Sequence, residues 1–318
     1  MLHIIANQFF LSSFLLESVS QRNDVSVILH PRRRRGAHRS LLKLLEAYLG
    51  WRPGASLFFA KDYIDQLSAI GKEDHVLVFG IENIKELRIV KRFIKSPHIS
   101  LFTWNPVLDY NQSAWVRRSH IRTLKGLGAR IYTFDPDDAS NYGLTLTNQV
   151  YRDVSEYLDG DMTPDLDIYF VGQDKGRWDE LKHWMAVAHK AGLATCFHVV
   201  KDKQGHYSPQ DLTQLSSGGL SYQDNIQMIR RSRCLLEIVQ KNQSGLTVRS
   251  LEAAFFGKKL ISNNLRMKHS VLYDPGRVFL IGHDDPNRLR EFVESPFVAV
   301  APDVLKNFDF SHWCRQFA

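Results

Sequence analysis

Short apolar runs separated by longer amphipathic stretches recur along the whole chain, and no other feature limits its fold more. A strand that is apolar throughout must be covered on both faces, and a helix with one apolar stripe covers one face. The alternation therefore spells βαβ units around a parallel sheet. In the first half the strand-like runs are 3–6, 25–29, 75–79, 99–104 and 129–134. Helical spacing fills 9–20, 40–49, 84–94 and 113–127; in the last of these Trp115, Ile121, Leu124 and Leu127 share a face, with Arg117, Arg118, Arg122 and Lys125 mostly on the other. The pattern breaks at Asp159-Gly160-Asp161-Met162-Thr163-Pro164 and then restarts. Strands are expected at 167–171, 195–200, 234–239, 259–262 and 278–281, helices at 178–191, 222–230 and 247–256, and a closing helix at 310–317. The expected organisation is two Rossmann-like α/β domains facing a cleft, residues 1–152 and 166–318, joined by a linker over 153–165. At 318 residues each half is large enough to bury its own core.

Three cysteines, Cys196, Cys234 and Cys314, lie far apart without CxxC spacing, which argues against a disulfide framework or a structural zinc site. Cys196 and Cys234 sit in apolar runs and read as inert core thiols. The apolar N-terminus lacks a cationic leader region and carries Asn7-Gln8 and Glu17, so it reads as strand and helix rather than signal peptide. No run reaches the roughly 18 apolar residues of a membrane span, so a protein not integral to a membrane is expected, and the sparse cysteines fit a reducing cytoplasm.

A formal net charge of +7 points to anionic partners. Its densest cluster, Arg32-Arg33-Arg34-Arg35 with Arg39, follows a strand end, where a loop displays it to solvent or to an anionic membrane surface. The arginine run has no interleaved aromatics, so nucleic acid is not the expected partner. A phospholipid surface, with peripheral attachment to the inner face of the plasma membrane, and phosphorylated small molecules both stay open, since charge alone does not choose between them.

Ligands of doubly wound sheets bind beyond the carboxyl ends of the strands, and two turns in the second half stand out there. Phe170-Val171-Gly172-Gln173-Asp174-Lys175-Gly176-Arg177 offers Gly172 for a sharp strand exit and Lys175 and Arg177 for phosphate; a glycine turn with solvated charges is the alternative. Glu237 to Ala253 runs from a buried strand through Gln243-Ser244-Gly245-Leu246-Thr247 into a helix, with Ser244 or Thr247 as its cap. Arg249 in the first turn opposes the helix dipole and calls for a partner such as phosphate, while Glu252 lies about one turn on.

The segment Ser-Gly-Leu-Thr-x-Arg-x-x-Glu-Ala, followed by Gly-Lys-Lys-Leu-Ile-Ser-Asn-Asn, resembles the donor-binding segment of GT-B glycosyltransferases, in particular bacterial proteins of lipopolysaccharide and capsule biosynthesis. The resemblance is sharpest over 221–264 and weaker over 167–177, and it rests on architecture in the first half. It implies that Ser244, Gly245, Leu246 and Thr247 lie at the donor phosphates and Glu252 at the ribose, with the Gly172–Arg177 turn opening the donor domain. It further implies a nucleotide-sugar as substrate, no separate cofactor, and a lipid-linked or lipopolysaccharide glycan as acceptor. Phe134-Asp135-Pro136-Asp137-Asp138-Ala139 with Tyr142-Gly143-Leu144 is similar to a segment near the domain junction of such proteins.

No extended dinucleotide fingerprint or GxxxxGK[ST] loop is present, which argues against an oxidoreductase or P-loop enzyme. Asp159-Gly160-Asp161 and Asp165-Leu166-Asp167 have metal-motif spacing but fall in or beside the linker, so no metal is expected. A general base facing the acceptor has candidates at strand ends in Glu82, Asp109 and Asp135; Asp109, following Trp104-Asn105-Pro106, is the nominated one. His30 and His98 are expected to finish strands. Two functions stay open: a metal-independent transferase, and a non-catalytic nucleotide-binding or assembly module of a polysaccharide complex.

Overall fold

The computed structural model describes residues 1–31, 61–106, 114–160, 163–239 and 243–318. Arg32–Arg35, Arg39, the helix expected at 40–49, Asp109, Asp161 and the start of the 240–247 loop lie outside them. The chain divides into two compact units, Met1–Thr147 with Cys314–Ala318, and Asn148–Trp313.

The first unit contains β1 (Leu2–Asn7), α1 (Phe10–Glu17), β2 (Val25–His30), α2 (Lys61–Ala69), β3 (His75–Phe79), α3 (Ile84–Phe93), β4 (His98–Thr103), α4 (Ala114–Gly126), β5 (Arg130–Thr133), α5 (Pro136–Tyr142) and β6 (Thr145–Leu146). Its six strands form one parallel sheet in the order β2-β1-β3-β4-β5-β6. The core holds Ile5, Val76, Val78, Leu101 and Ile131 from the strands against Leu87 and Val90 of α3 and Ile121 and Leu124 of α4, the last two belonging to the stripe that helical spacing marked out. The Asp135-to-Gly143 segment is a self-contained helix: Asp135 Oδ1 accepts from the N–H groups of Asp137 (2.9 Å) and Asp138 (3.2 Å), Pro136 opens the first turn, and Gly143 closes it at φ 59°.

The second unit contains α6 (Ser155–Leu158), β7 (Leu166–Gln173), α7 (Trp178–Lys190), β8 (Thr195–Val200), α8 (Pro209–Gln214), α9 (Tyr222–Arg231), β9 (Ser232–Glu237), α10 (Val248–Phe255), β10 (Lys259–Ser262), β11 (Val278–Leu280), α11 (Leu289–Glu294), α12 (Pro302–Lys306) and α13 (Phe310–Trp313). Its five strands are parallel in the order β11-β10-β9-β7-β8. Ile168, Phe170, Cys234, Leu236 and Ile261 pack against Trp178, Leu181, Trp184, Leu289 and Val293.

The units divide between Thr147 and Asn148, where the sequence pattern places the first half's end at residue 152. Tyr151 is the reason: its N–H donates to Phe308 O, and Phe310 N–H donates to its carbonyl, so this segment pairs within the second unit. Residues 153–165 include α6 rather than only extended linker, and Arg231 pairs with Asp165 at 2.5 Å. At the other end the chain leaves α13 for a 3-10 turn, Cys314–Phe317, whose Phe317 packs edge-on against Tyr132 of the first unit at 4.8 Å between ring centroids. Among the described residues no helix is long and apolar enough to cross a membrane.

Candidate functional site

In the second unit the chain passes from β7 to β8 on one side and then returns to β9 on the other, so the connections diverge between β7 and β9. That is the topological switch point where doubly wound sheets take their ligands. The two turns singled out in the sequence follow these two strands, and the structure brings them together.

On the β7 side the turn lies later than the glycine pattern suggests. Gly172 is still within the strand, paired with Val199, and the left-handed residues are Lys175 (φ 48°) and Gly176 (φ 73°). What Gly172 provides is room, since a Cβ there would stand 3.4 Å from both Arg177 Nη2 and the Phe170 ring. Arg177 donates from Nε to Asp174 O at 3.0 Å, from Nη2 to Gln173 O and from Nη1 to Ile238 O. It thus braces the end of β7 against the end of β9, with its guanidinium 5.5 Å over Phe170. Burial lowers its basicity. Asp174 completes the brace, accepting from Arg177 N–H at 2.8 Å and from the Tyr207 hydroxyl at 2.7 Å. Lys175 is the exposed cation of this turn; desolvation, and then Arg177, hold its ammonium below the usual lysine value.

On the β9 side Thr247 caps α10, its Oγ1 accepting from the N–H groups of Arg249 (3.0 Å) and Ser250 (3.4 Å). The Thr247 hydroxyl donates to Glu237, a carboxylate only 3% exposed that also accepts from Ser250 Oγ at 2.6 Å and from Ser262 Oγ. With its proton given to Glu237 and its lone pairs to two amides, the Thr247 side chain has nothing left for a phosphate. The groups at the start of α10 that suit an anion are its backbone N–H groups and the helix dipole.

The Gly-Lys-Lys-Leu-Ile-Ser-Asn-Asn segment buttresses this turn. Lys258 donates to Arg230 O at 2.8 Å, and Lys259 meets the carbonyls of Phe292, Val293 and Ser295 at the end of α11. Ser262 holds Glu237, Asn263 Oδ1 accepts from Val239 N–H at 2.7 Å, and Asn264 Nδ2 donates to Gly245 O at 3.3 Å. Ser244 is buried within the turn, and Leu246 is half-buried.

Arg249 and Glu252 form an ion pair at 2.6 Å. Arg249 also donates to Val171 O at 3.3 Å and lies 5.8 Å over the Tyr169 ring, so its charge rests at the end of β7. Glu252 accepts from the Tyr222 hydroxyl (2.8 Å) and Asn225 Nδ2 (3.0 Å). Sequence reasoning missed Glu237, Tyr222, Asn225, Asn263 and Asn264. Glu237 carried a signal as a carboxylate closing the apolar run Cys234-Leu235-Leu236, and Asn263 and Asn264 stood in the segment that carries the resemblance without a role attached.

In the first unit the base candidates are placed as follows. Asp135 is fully buried and spends Oδ1 on the α5 cap. Glu82 Oε1 accepts from the N–H groups of Trp104 (2.9 Å) and Asn105 (3.3 Å), and burial, aided by Asp138, raises its carboxyl above the usual range. His30 ends β2 and bonds the Tyr63 hydroxyl at 2.8 Å. His98 begins β4 rather than finishing a strand, and stacks on His75 at 4.8 Å on the amino edge of the sheet. Burial pushes the Cys234 thiol up to about 12, as befits a core residue. Asp165 and Asp167, of the second Asp-x-Asp triplet, pair with Arg231 and Arg233.

No protein-family model matches the chain, and no curated protein matches it in sequence. Solved structures do match its fold. The Anabaena protein Alr3699/HepE, crystallised with UDP and glucose, superposes with a TM-score of 0.58 at 12% identity over 99% of this chain and 98% of its own. An α,α-trehalose-phosphate synthase (UDP-forming) from Burkholderia vietnamiensis gives 0.56 at 12% identity over 99% and 98%. AviGT4, a glycosyltransferase involved in avilamycin A biosynthesis, gives 0.50 at 12% identity over 100% and 97%. The chain therefore has the α/β fold of two Rossmann-like units that GT-B glycosyltransferases share.

Proposed function

We propose that this protein is a metal-independent glycosyltransferase whose second unit holds a nucleotide-sugar donor and whose acceptor is a lipopolysaccharide or other lipid-linked cell-surface glycan. The observation that carries the donor half is the meeting of two turns at the β7/β9 switch point. The start of α10 lies there with the Arg249 guanidinium, which reaches Val171 O at the end of β7, and the exposed Lys175 stands in the left-handed turn that follows β7. A diphosphate is the anion that such a place suits, because backbone N–H groups at a helix start can bind its oxygens and a guanidinium stands beside them. The acceptor half rests on the sequence resemblance and on the basic surface. Arg32–Arg35 would hold the protein to an anionic inner leaflet, each arginine near the surface contributing about 1 kcal/mol.

The Anabaena protein was crystallised with UDP and the Burkholderia enzyme is UDP-forming, so UDP is the first nucleotide to try. Thermal melting with UDP, GDP, CMP and ADP tests the reading. A nucleotide at about a hundred times its Kd stabilises by about 2.7 kcal/mol, and one of the four is expected to raise the melting temperature accordingly. Lys175→Ala should weaken that response. Release of nucleotide from the matching sugar donor, abolished in Asp109→Asn, would support catalysis with Asp109 as base. Binding with no turnover on any acceptor would favour the non-catalytic module, and the absence of any thermal response would remove the donor site.

A further inference from the structure

The resemblance places Glu252 at the donor ribose, yet the structure gives that carboxylate other work. Glu252 is 2% exposed and takes its contacts from within the second unit. Both of its oxygens are engaged: Oε1 accepts from Tyr222 (2.8 Å) and Asn225 (3.0 Å), and Oε2 faces Arg249 Nη1 at 2.6 Å. The donors are themselves oriented. The single hydroxyl proton of Tyr222 goes to Glu252, so in the 2.6 Å contact between Tyr151 and Tyr222 it is Tyr151 that donates. Tyr169 donates to Asn225 Oδ1 at 3.1 Å, which turns the amide's NH2 toward Glu252. Burial raises both the Tyr151 and Tyr222 hydroxyls well above their ordinary value, so they stay protonated donors.

Everything in this chain of contacts ends on Arg249. A cation in the first turn of a helix opposes the dipole, and a carboxylate three residues on offsets that cost. Resting on Val171 O and over Tyr169, the guanidinium is fixed at the switch point with its side chain 14% exposed.

We propose that Glu252 is a positioning residue: it holds the Arg249 guanidinium as a fixed positive charge for the donor diphosphate, and it does not touch the ribose. The inference rests on the donor reading above. Glu252→Asp keeps the charge and withdraws the carboxylate by one methylene, so its effect reports geometry alone. Calorimetric titration of wild type and variant with inorganic pyrophosphate, UDP and 2′-deoxy-UDP separates the two roles.

Both UDP and pyrophosphate should bind about tenfold more weakly to Glu252→Asp, the scale of one lost charge-assisted contact. The ratio of UDP to 2′-deoxy-UDP affinity should not change. In an Arg249→Gln background the same substitution should have no further effect on pyrophosphate, because the coupled pair is already broken. Tyr222→Phe, which leaves the ion pair charged, should weaken pyrophosphate in the same direction and carries the test if Glu252→Asp does not fold. Unchanged pyrophosphate affinity together with a UDP to 2′-deoxy-UDP ratio that collapses to one would make Glu252 a ribose ligand and overturn the proposal. If wild type binds neither pyrophosphate nor any nucleoside diphosphate, the donor reading itself fails.

Discussion

Lys175 is the one non-glycine residue among those described that adopts a left-handed backbone, at φ 48°. An L side chain there costs roughly 1–2 kcal/mol, and such outliers persist where the surroundings or the function demand the residue. Glycine would relieve the strain while giving the unfolded chain more freedom, an opposing effect of about 0.4–1 kcal/mol. Lys175→Gly is therefore expected to stabilise the protein by about 0.5 kcal/mol in urea unfolding. It should also weaken binding of the nucleotide that raises the melting temperature. A variant less stable than wild type would show that the turn, rather than the ligand, requires lysine. Lys175 was legible in the sequence as a cation after a strand; its strain was not, because residue 172 looked like the natural place for a glycine exit and φ cannot be read from identity. Arg177 was legible as a cation for phosphate, but its bracing of two strand ends was not. The partner that binds it, Ile238 O, lies 61 residues away in the chain.

At the scale of elements, α10 depends on Thr247 twice over. The hydroxyl caps two backbone N–H groups and donates to buried Glu237, linking the helix start to the end of β9 and, through Ser262, to the end of β10. Thr247→Val keeps the shape but removes both functions. Loss of a cap costs about 0.5–2 kcal/mol, and a buried carboxylate short of a donor adds to it, so a loss of about 2 kcal/mol is expected. Thr247→Ser should lose less than about 0.5 kcal/mol, since the hydroxyl remains. A larger loss in serine than in valine, measured by denaturant unfolding, would mean that the methyl packing matters and the cap does not. The helix was legible from Thr247 and its apolar spacing, and most strands from runs such as His75–Phe79 and Lys259–Ser262, because burial on both faces leaves an unbroken apolar signature. Shorter helices such as α8 and α11 were not, since two turns carry too few positions for a period to show. Tyr222 and Asn225 were illegible as partners of the site because their roles arise only when β7, α9 and α10 come together, while Glu237 showed as no more than a carboxylate closing an apolar run.

For the whole molecule, the last five residues test how the chain is divided. They follow α13 of the second unit but belong to the first, where Cys314 and Phe317 are buried and Phe317 meets Tyr132. Periodicity over 310–317 marked an apolar helix there without saying which core receives it, since composition does not name a partner. Truncating a buried phenylalanine removes its transfer free energy and leaves a cavity, a loss of about 3–5 kcal/mol. Phe317→Ala should therefore lower the thermal transition of residues 1–147. The proposed donor, by contrast, binds only the second unit and should raise the transition of residues 148–313 through linkage. Calorimetric scans of wild type and Phe317→Ala, each with and without UDP, separate these effects. The substitution and the nucleotide are expected to move different transitions, each by an amount unaffected by the other. A Phe317→Ala scan in which the UDP-responsive transition falls would assign the C-terminal turn to the second unit. One in which both transitions fall together would mean that the two units unfold as a single cooperative body.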